Sequence, residues 1–511
     1  MWMVLGVMAL VPLIAAGVAA YRDHLGTLSF GEYRESVFLD LAQVRARKKA
    51  AALEYLKTQR QQGLQAADKP QLQRAFADML GQFRQNALGS LKHGELELEW
   101  DNIYIENLAN FYDVLLVDSQ GNIFHSIKQE KDYLKNINDP MFARSGLPDG
   151  IKSANAAPDQ ERLAFVDFEY YEPSGEQSAF YITAIRDGET LLGSMVLQLS
   201  MNRVANILTE REGLGRTGEV YLVNRNNTML TPSRFINTSP AAFLQVETSA
   251  VKEAFSRGGG HRITTDYRGR KVFSSFETFR FEDSVWAILA EKDEGEIITD
   301  YYRENAKQLF TRLSERLAAR RPAFFQTNLG KITAQGSSRR IKADLQEVQK
   351  AGSEETVFTT GVATCTAFAA YMPGRFAYLS HITPTDSAYS PSWATSILLG
   401  ENHTDLLTKT MERMLWFDVY PFERTQLVFG VFATHDKSLP GILEKLIAQG
   451  MELSQIKAVV LPDSPPISVE LSPGKKLGII HIQGEKPGQR LMFSLDDAPT
   501  IEQVLKEILA I

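Results

Sequence analysis

The chain of 511 residues is long enough for about three domain-sized units, and its 44% apolar and 23% charged residues give the balance of a globular protein. A formal net charge of −7 offers no electrostatic reason for a nucleic-acid partner. No Cys/His cluster with zinc spacing, Walker loop or dinucleotide fingerprint is present, so neither a metal nor a cofactor is expected.

Residues 1–21 run without a charge and are long enough to cross a bilayer. They read as an anchor or a signal segment, and the lack of Lys or Arg ahead of the apolar run favours an uncleaved anchor. From 22 to 110 apolar residues such as Val37, Leu41, Val44, Leu53 and Leu56 recur at helical spacing, which predicts a long helix. Such a helix is a candidate for homodimer contact, or equally for packing on its own domain.

The period then changes. Tyr112 to Asp118, the turn Ser119-Gln120-Gly121-Asn122 and Ile123-Phe124-His125 predict a hairpin. Strands follow over 163–170, 178–186 and 191–199, then a helix over 201–211. A second set covers 219–224, 261–267, 271–278 and 285–291, with Gly258-Gly259-Gly260 reading as a hairpin turn. Two successive antiparallel modules amount to a cryptic repeat.

On the run from Tyr112 to Gly121, the run from Leu214 to Asn224 and Trp286-Ala287-Ile288-Leu289-Ala290-Glu291, residues 22–298 resemble the double Cache sensor, with PAS-like modules at about 100–200 (distal) and 213–298 (proximal). The resemblance implies an extracytoplasmic, membrane-tethered sensor holding a small ligand in the distal module. Asp167, Tyr170, Tyr181 and Arg186 lie on strands suited to line that pocket. The Arg-x-Trp-Tyr segment of amino-acid-binding members is missing, and Gln198 stands about where their closing aspartate falls.

Residues 299–350 read as a helical linker. The stretch 300–321 carries Arg303, Glu304, Lys307, Arg312, Glu315 and Arg316 among its charges, so it cannot span a bilayer. Sensor and C-terminal domain are therefore expected on the same side of the membrane, in the periplasm, as a single-pass inner-membrane protein.

Cys365 is the only cysteine, so no intrachain disulfide exists. It follows an apolar run and a small-residue turn, and a helix-compatible stretch opens at it, where the dipole would lower the thiol pKa. A buried structural cysteine with a core His381 is the alternative. The pattern Thr359-x-Gly361-x-x-x-Cys365, with an apolar strand ending at His381, resembles the chemoreceptor glutamine deamidases of bacterial chemotaxis (CheD). Ala363-Thr364 replaces that family's usual Gly-Ser. The resemblance implies a Cys365 nucleophile, a His381 base and a positioning Thr359 in a domain over 351–484, followed by a tail with a helix over 485–511. The expected fold class is α+β: anchor, long helix, two Cache modules, then a CheD-like α/β sandwich. Its expected function is a Cys-dependent amidohydrolase acting on protein glutamine. A sensor signalling through protein contact, with a noncatalytic module, is the alternative.

Overall fold

The computed structural model describes residues 29–67, 69–86, 91–157, 163–236, 244–320, 339–386, 388, 406–462, 464–482, 490–494 and 499–510. The expected anchor, residues 1–21, lies outside them. No described helix is long and apolar enough to cross a membrane. The chain divides into two compact units, Glu35–Glu294 and Gly295–Ile511 with Met1–Arg34.

In place of one long helix the chain forms α1 (Phe30–Ala67), α2 (Pro70–Arg84) and α3 (Leu91–Asn107). Pro70 takes the first position of α2, where its missing N–H costs nothing but where it cannot continue a preceding helix. The apolar period had shown helix without showing its breaks.

The distal module is an antiparallel sheet of β1 (Asp113–Asp118), β2 (Ile123–Ser126), β3 (Ala164–Tyr171), β4 (Glu176–Asp187) and β5 (Thr190–Ser200), in the order β2-β1-β5-β4-β3. Its tight turn is built by Asp118, whose Oδ1 accepts from the N–H groups of Gln120 and Asn122, and by Gly121 at φ +88°. Helix α4 (Leu147–Ala156) covers one face, packing Leu147, Ile151 and Ala154 on Leu115, Phe180 and Val196. On the other face α1 comes so close that a Cβ on Gly63 would stand 3.0 Å from Leu197.

Helix α5 (Met201–Thr209) leads to the proximal module. This module contains β6 (Glu219–Val223), α6 (Ser249–Arg257), β7 (Gly259–Thr265), β8 (Lys271–Phe281) and β9 (Ser284–Asp293), with sheet order β6-β9-β8-β7. Gly258 is the left-handed C-cap of α6 at φ +87° and Gly259 starts β7, so the glycine run ends a helix rather than turning a hairpin.

Helix α7 (Glu294–Ala319) begins the remaining chain. The C-terminal domain adds β10 (Arg339–Lys342), β11 (Val348–Gly352), β12 (Glu355–Val362), β13 (Thr366–Met372) and β14 (Phe376–Ile382). It continues through α8 (Leu406–Phe417), β15 (Val428–Ala433), α9 (Leu439–Ala448) and β16 (Ile456–Val460). It closes with β17 (Ile467–Ser472), β18 (Leu477–Ile482), β19 (Arg490–Ser494) and α10 (Ile501–Leu509). Two sheets, β10-β12-β17-β18-β19 and β11-β14-β13-β15-β16, share a core that includes Val357, Ala369, Tyr371, Val469 and Ile480. Strands β10 and β19 therefore extend the domain beyond 351–484.

The stretch after Cys365 is a strand, not the helix its alanines suggested. Every residue of β13 is buried, and β14 and β15 pair with it on either side. Central burial overrides the helical propensity of alanine.

Candidate functional site

Two buried polar clusters stand out, one in each unit. In the distal module, Asp113 of β1 and Gln198 of β5 are cross-strand partners, so their side chains share a face. Both are 0% exposed. Asp113 accepts from Ser126 Oγ at 2.7 Å and from the N–H groups of Val114 and Lys128. Gln198 Nε2 donates to Ser178 Oγ at 2.9 Å and Ser174 Oγ at 3.1 Å, while its Oε1 has no partner. Tyr171 donates to Asp132 Oδ2 at 2.7 Å, and Tyr112 donates to Glu130 Oε1 at 2.7 Å. The second oxygens of Asp132 and Glu130 are buried without a donor.

Desolvation raises the carboxyl pKa values of Asp113, Glu130 and Asp132, most clearly Asp113, pushed up to about 6 against the pull of its hydrogen bonds. A cavity of about 350 Å³ opens at this edge, lined in part by Tyr112, Lys128, Ser200 and Asn202. Asn202 donates to Glu176. Helix α4, which covers the sheet here, is held at its start by Glu169 of β3, which accepts from Ser145 Oγ at 2.8 Å and from Gly146 N–H.

The structure places the four ligand residues expected from the strands as follows. Both carboxylate oxygens of Asp167 accept from Trp286 Nε1, at 3.0 and 3.1 Å, tying β3 to β9. Tyr181 is 1% exposed and lies on the sheet face opposite Phe180, its ring against Phe165. Arg186 donates to Asn155 O at 2.7 Å at the end of α4. Tyr170 is half-buried opposite Gln177, and its neighbour Tyr171 is the tyrosine in the cluster. A bulge between Val166 and Glu169 shifts the register of β3, which hides facing from simple alternation. Asp113 carried a readable signal, a carboxylate directly ahead of the apolar run Val114-Leu115-Leu116-Val117. Asp132 and Glu130 lie in a loop with no period to read.

In the C-terminal domain, β12 and β14 bring Thr359 (1% exposed) and His381 (2% exposed) together across the two sheets. Thr359 Oγ1 donates to Ala343 O at 2.7 Å and lies 2.8 Å from His381 Nδ1. With its one proton given to the carbonyl, the hydroxyl can only accept from Nδ1–H. That fixes the tautomer and leaves the lone pair on Nε2, which is buried and has no hydrogen-bond partner. Burial also lowers the His381 pKa, so the ring is neutral near pH 7.

Cys365 is half-buried two residues before Ala367, the cross-strand partner of His381. Gly361, at φ +75° in the bulge that ends β12, turns the chain toward it. The next residue, Thr366, bonds Ser438 Oγ at 2.5 Å at the start of α9, so the nearest helix N-terminus comes from α9 and not from the cysteine's own segment. Thr434 donates to Ala363 O and holds the turn. Burial raises the thiol pKa, the reverse of the lowering expected from a helix opening at the cysteine.

Among the described residues no His/Cys/Asp/Glu group could hold a metal ion. Residues 35–301 match the family described as Cache domain. No curated protein matches the chain. Among solved structures it is similar to the ligand-binding domain of the Pseudomonas fluorescens chemoreceptor CtaA in complex with L-isoleucine. That likeness has 14% identity over 53% of this chain and 97% of the other, with a TM-score of 0.33. It is also similar to the ligand-binding domain of the Pseudomonas aeruginosa PAO1 amino-acid chemoreceptor PctC in complex with GABA. There the identity is 13% over 49% of this chain and 97% of the other, with a TM-score of 0.31.

Proposed function

This chain belongs to the Cache domain family, and from that premise we propose that it is an extracytoplasmic small-molecule sensor whose distal module takes the ligand between its sheet and α4. The observation that supports this reading is the buried cluster of Asp113, Asp132, Tyr171 and Gln198, in which Asp132 Oδ1 and Gln198 Oε1 have no side-chain donor. Polar groups left unpaired in a core cost about 1–3 kcal/mol each, so a ligand that satisfies them gains what the empty fold forgoes. Thermal-shift screening of the full chain against a metabolite library tests the reading. Hits that vanish in Gln198→Leu support it, whereas hits indifferent to that change, or none at all, overturn it.

A second activity is favoured by the Thr359–His381 hydrogen bond: a Cys365-dependent amidohydrolase, as the resemblance to the glutamine deamidases implies. A thiol and an imidazole that are both neutral call for general-base attack. As Sγ bonds to the amide carbon, the thiol proton passes to His381 Nε2. His381 then gives it to the departing nitrogen, releasing ammonia and leaving a thioester. Water, deprotonated by the same Nε2, adds to the thioester, and the carboxylate leaves with the thiol restored. Backbone N–H groups near Cys365 are the candidate oxyanion donors. Loss of ammonia release from a glutamine-containing protein in Cys365→Ala is the expected result, and its persistence would assign the activity elsewhere.

The charged sequence of α7 keeps both domains on one side of the membrane in this reading. A periplasm-active reporter fused after Ile511 is its expected signature; a reporter active only in the cytoplasm would contradict it. Residues 1–21 would be the tether, with α1 a candidate for homodimer contact and a neighbouring protein the substrate or signalling partner.

A further inference from the structure

Resting on the reading of the distal module as a ligand pocket, we propose that its ligand is a cationic amine carrying no carboxylate. The electrostatics of the cluster are one-sided. Asp113, Glu130, Asp132 and Glu176 perturb one another or the two tyrosines between them, Tyr112 and Tyr171. The cation facing Glu130 is Lys128, an exposed residue whose Nζ lies 5.3 Å over the Tyr112 ring. Arg203, at the cavity, interacts with Tyr55 and Tyr104.

The hydrogen-bond inventory points the same way. The orphaned atoms on this side of the sheet are acceptors: Asp132 Oδ1, Glu130 Oε2, Glu176 Oε1 and Gln198 Oε1. Gln198 is an independent witness, since it is uncharged, 0% exposed and directly opposite Asp113. Its orientation is set by Ser174, whose hydroxyl donates to Tyr171 O and so accepts from Gln198 Nε2. Within the buried set the tyrosine hydroxyls are already given to Asp132 and Glu130, while Lys128 and Arg203 stand at the cavity.

An ammonium brings up to three donors and no acceptor, which is what this set lacks. Among the buried acceptors themselves a carboxylate would meet like charge. With no metal-holding group among the described residues, an organic cation fits better than an inorganic one. The adjoining cavity of about 350 Å³ is of a size that holds a small ligand.

The test is titration of the full chain with 1,4-diaminobutane, n-butylamine, 4-aminobutanoate and n-butanol, read by calorimetry and thermal shift. The two amines are expected to bind and the alcohol not; adding the carboxylate should weaken binding at least tenfold, and so should Asp132→Asn. Circular dichroism checks that the variant folds, and Gln198→Leu provides a second, uncharged probe of the same place. Failure of both amines, or amine binding indifferent to both substitutions, overturns the proposal. Preferred binding of 4-aminobutanoate that Gln198→Leu abolishes also overturns it, while keeping the distal module as a ligand site.

Discussion

The distal module and the C-terminal domain each bury a polar cluster, and they differ in what they lack. The distal cluster has more acceptors than donors and holds carboxyl groups that burial pushes upward. The C-terminal cluster is neutral and almost satisfied: Thr359 and His381 answer each other, leaving one lone pair on Nε2. The first core retains unmet acceptors, and the second leaves one basic nitrogen unpaired. The two clusters lie in different units of this chain.

The largest expected effect separates them outright. Cys365→Ala should abolish ammonia release while leaving the thermal shift produced by a distal ligand unchanged; loss of both would show that the clusters are not independent.

Next in size is the pH response of the distal cluster. The Asp113 carboxyl is raised from 3.8 to about 6 in the fold. Stability from this group is therefore fully present below about pH 4 and is lost as pH rises through about 6, a loss on the order of 3 kcal/mol. Asp113→Asn should flatten that part of the stability profile in denaturant titrations. An unchanged profile would remove Asp113 as its source.

Thr359→Val should leave His381 Nδ1–H buried without an acceptor, costing about 1–3 kcal/mol. It should also slow alkylation of Cys365 near neutral pH, where Thr359→Ser should restore it; equal rates in all three would reduce the pair to packing. The smallest expected change, about 1–2 kcal/mol of stability, comes from Trp286→Phe, which strips Asp167 of its indole donor.

Legibility in the sequence divides along the same line. The strands of both Cache modules followed from period-two patterning and turn residues, because antiparallel hairpins are local. Cys365 stood out as the only cysteine, Thr359 and His381 came with the resemblance to the deamidases, and the fold joins Thr359 to His381. The facing of side chains in the distal module was less legible. Asp167, Tyr170, Tyr181 and Arg186 lie on the right strands, but pocket membership depends on facing and on long-range partners. A bulge between Val166 and Glu169 changes which residues of β3 share a face, and Trp286 pairs with Asp167 from 119 residues away. The thiol environment was misread for a related reason: whether Ala367 to Ala370 forms helix or strand is decided by β14 and β15 on either side.

The most direct measurement of ligand capture by the distal cluster is calorimetric titration of the full chain with 1,4-diaminobutane near pH 6, in two buffers of different ionisation heat. A bound cation favours ionised carboxylates and lowers their pKa values. Net proton release on binding, absent in Asp113→Asn, is the expected result. Proton uptake, or binding with no proton exchange in the unmodified chain, would contradict it.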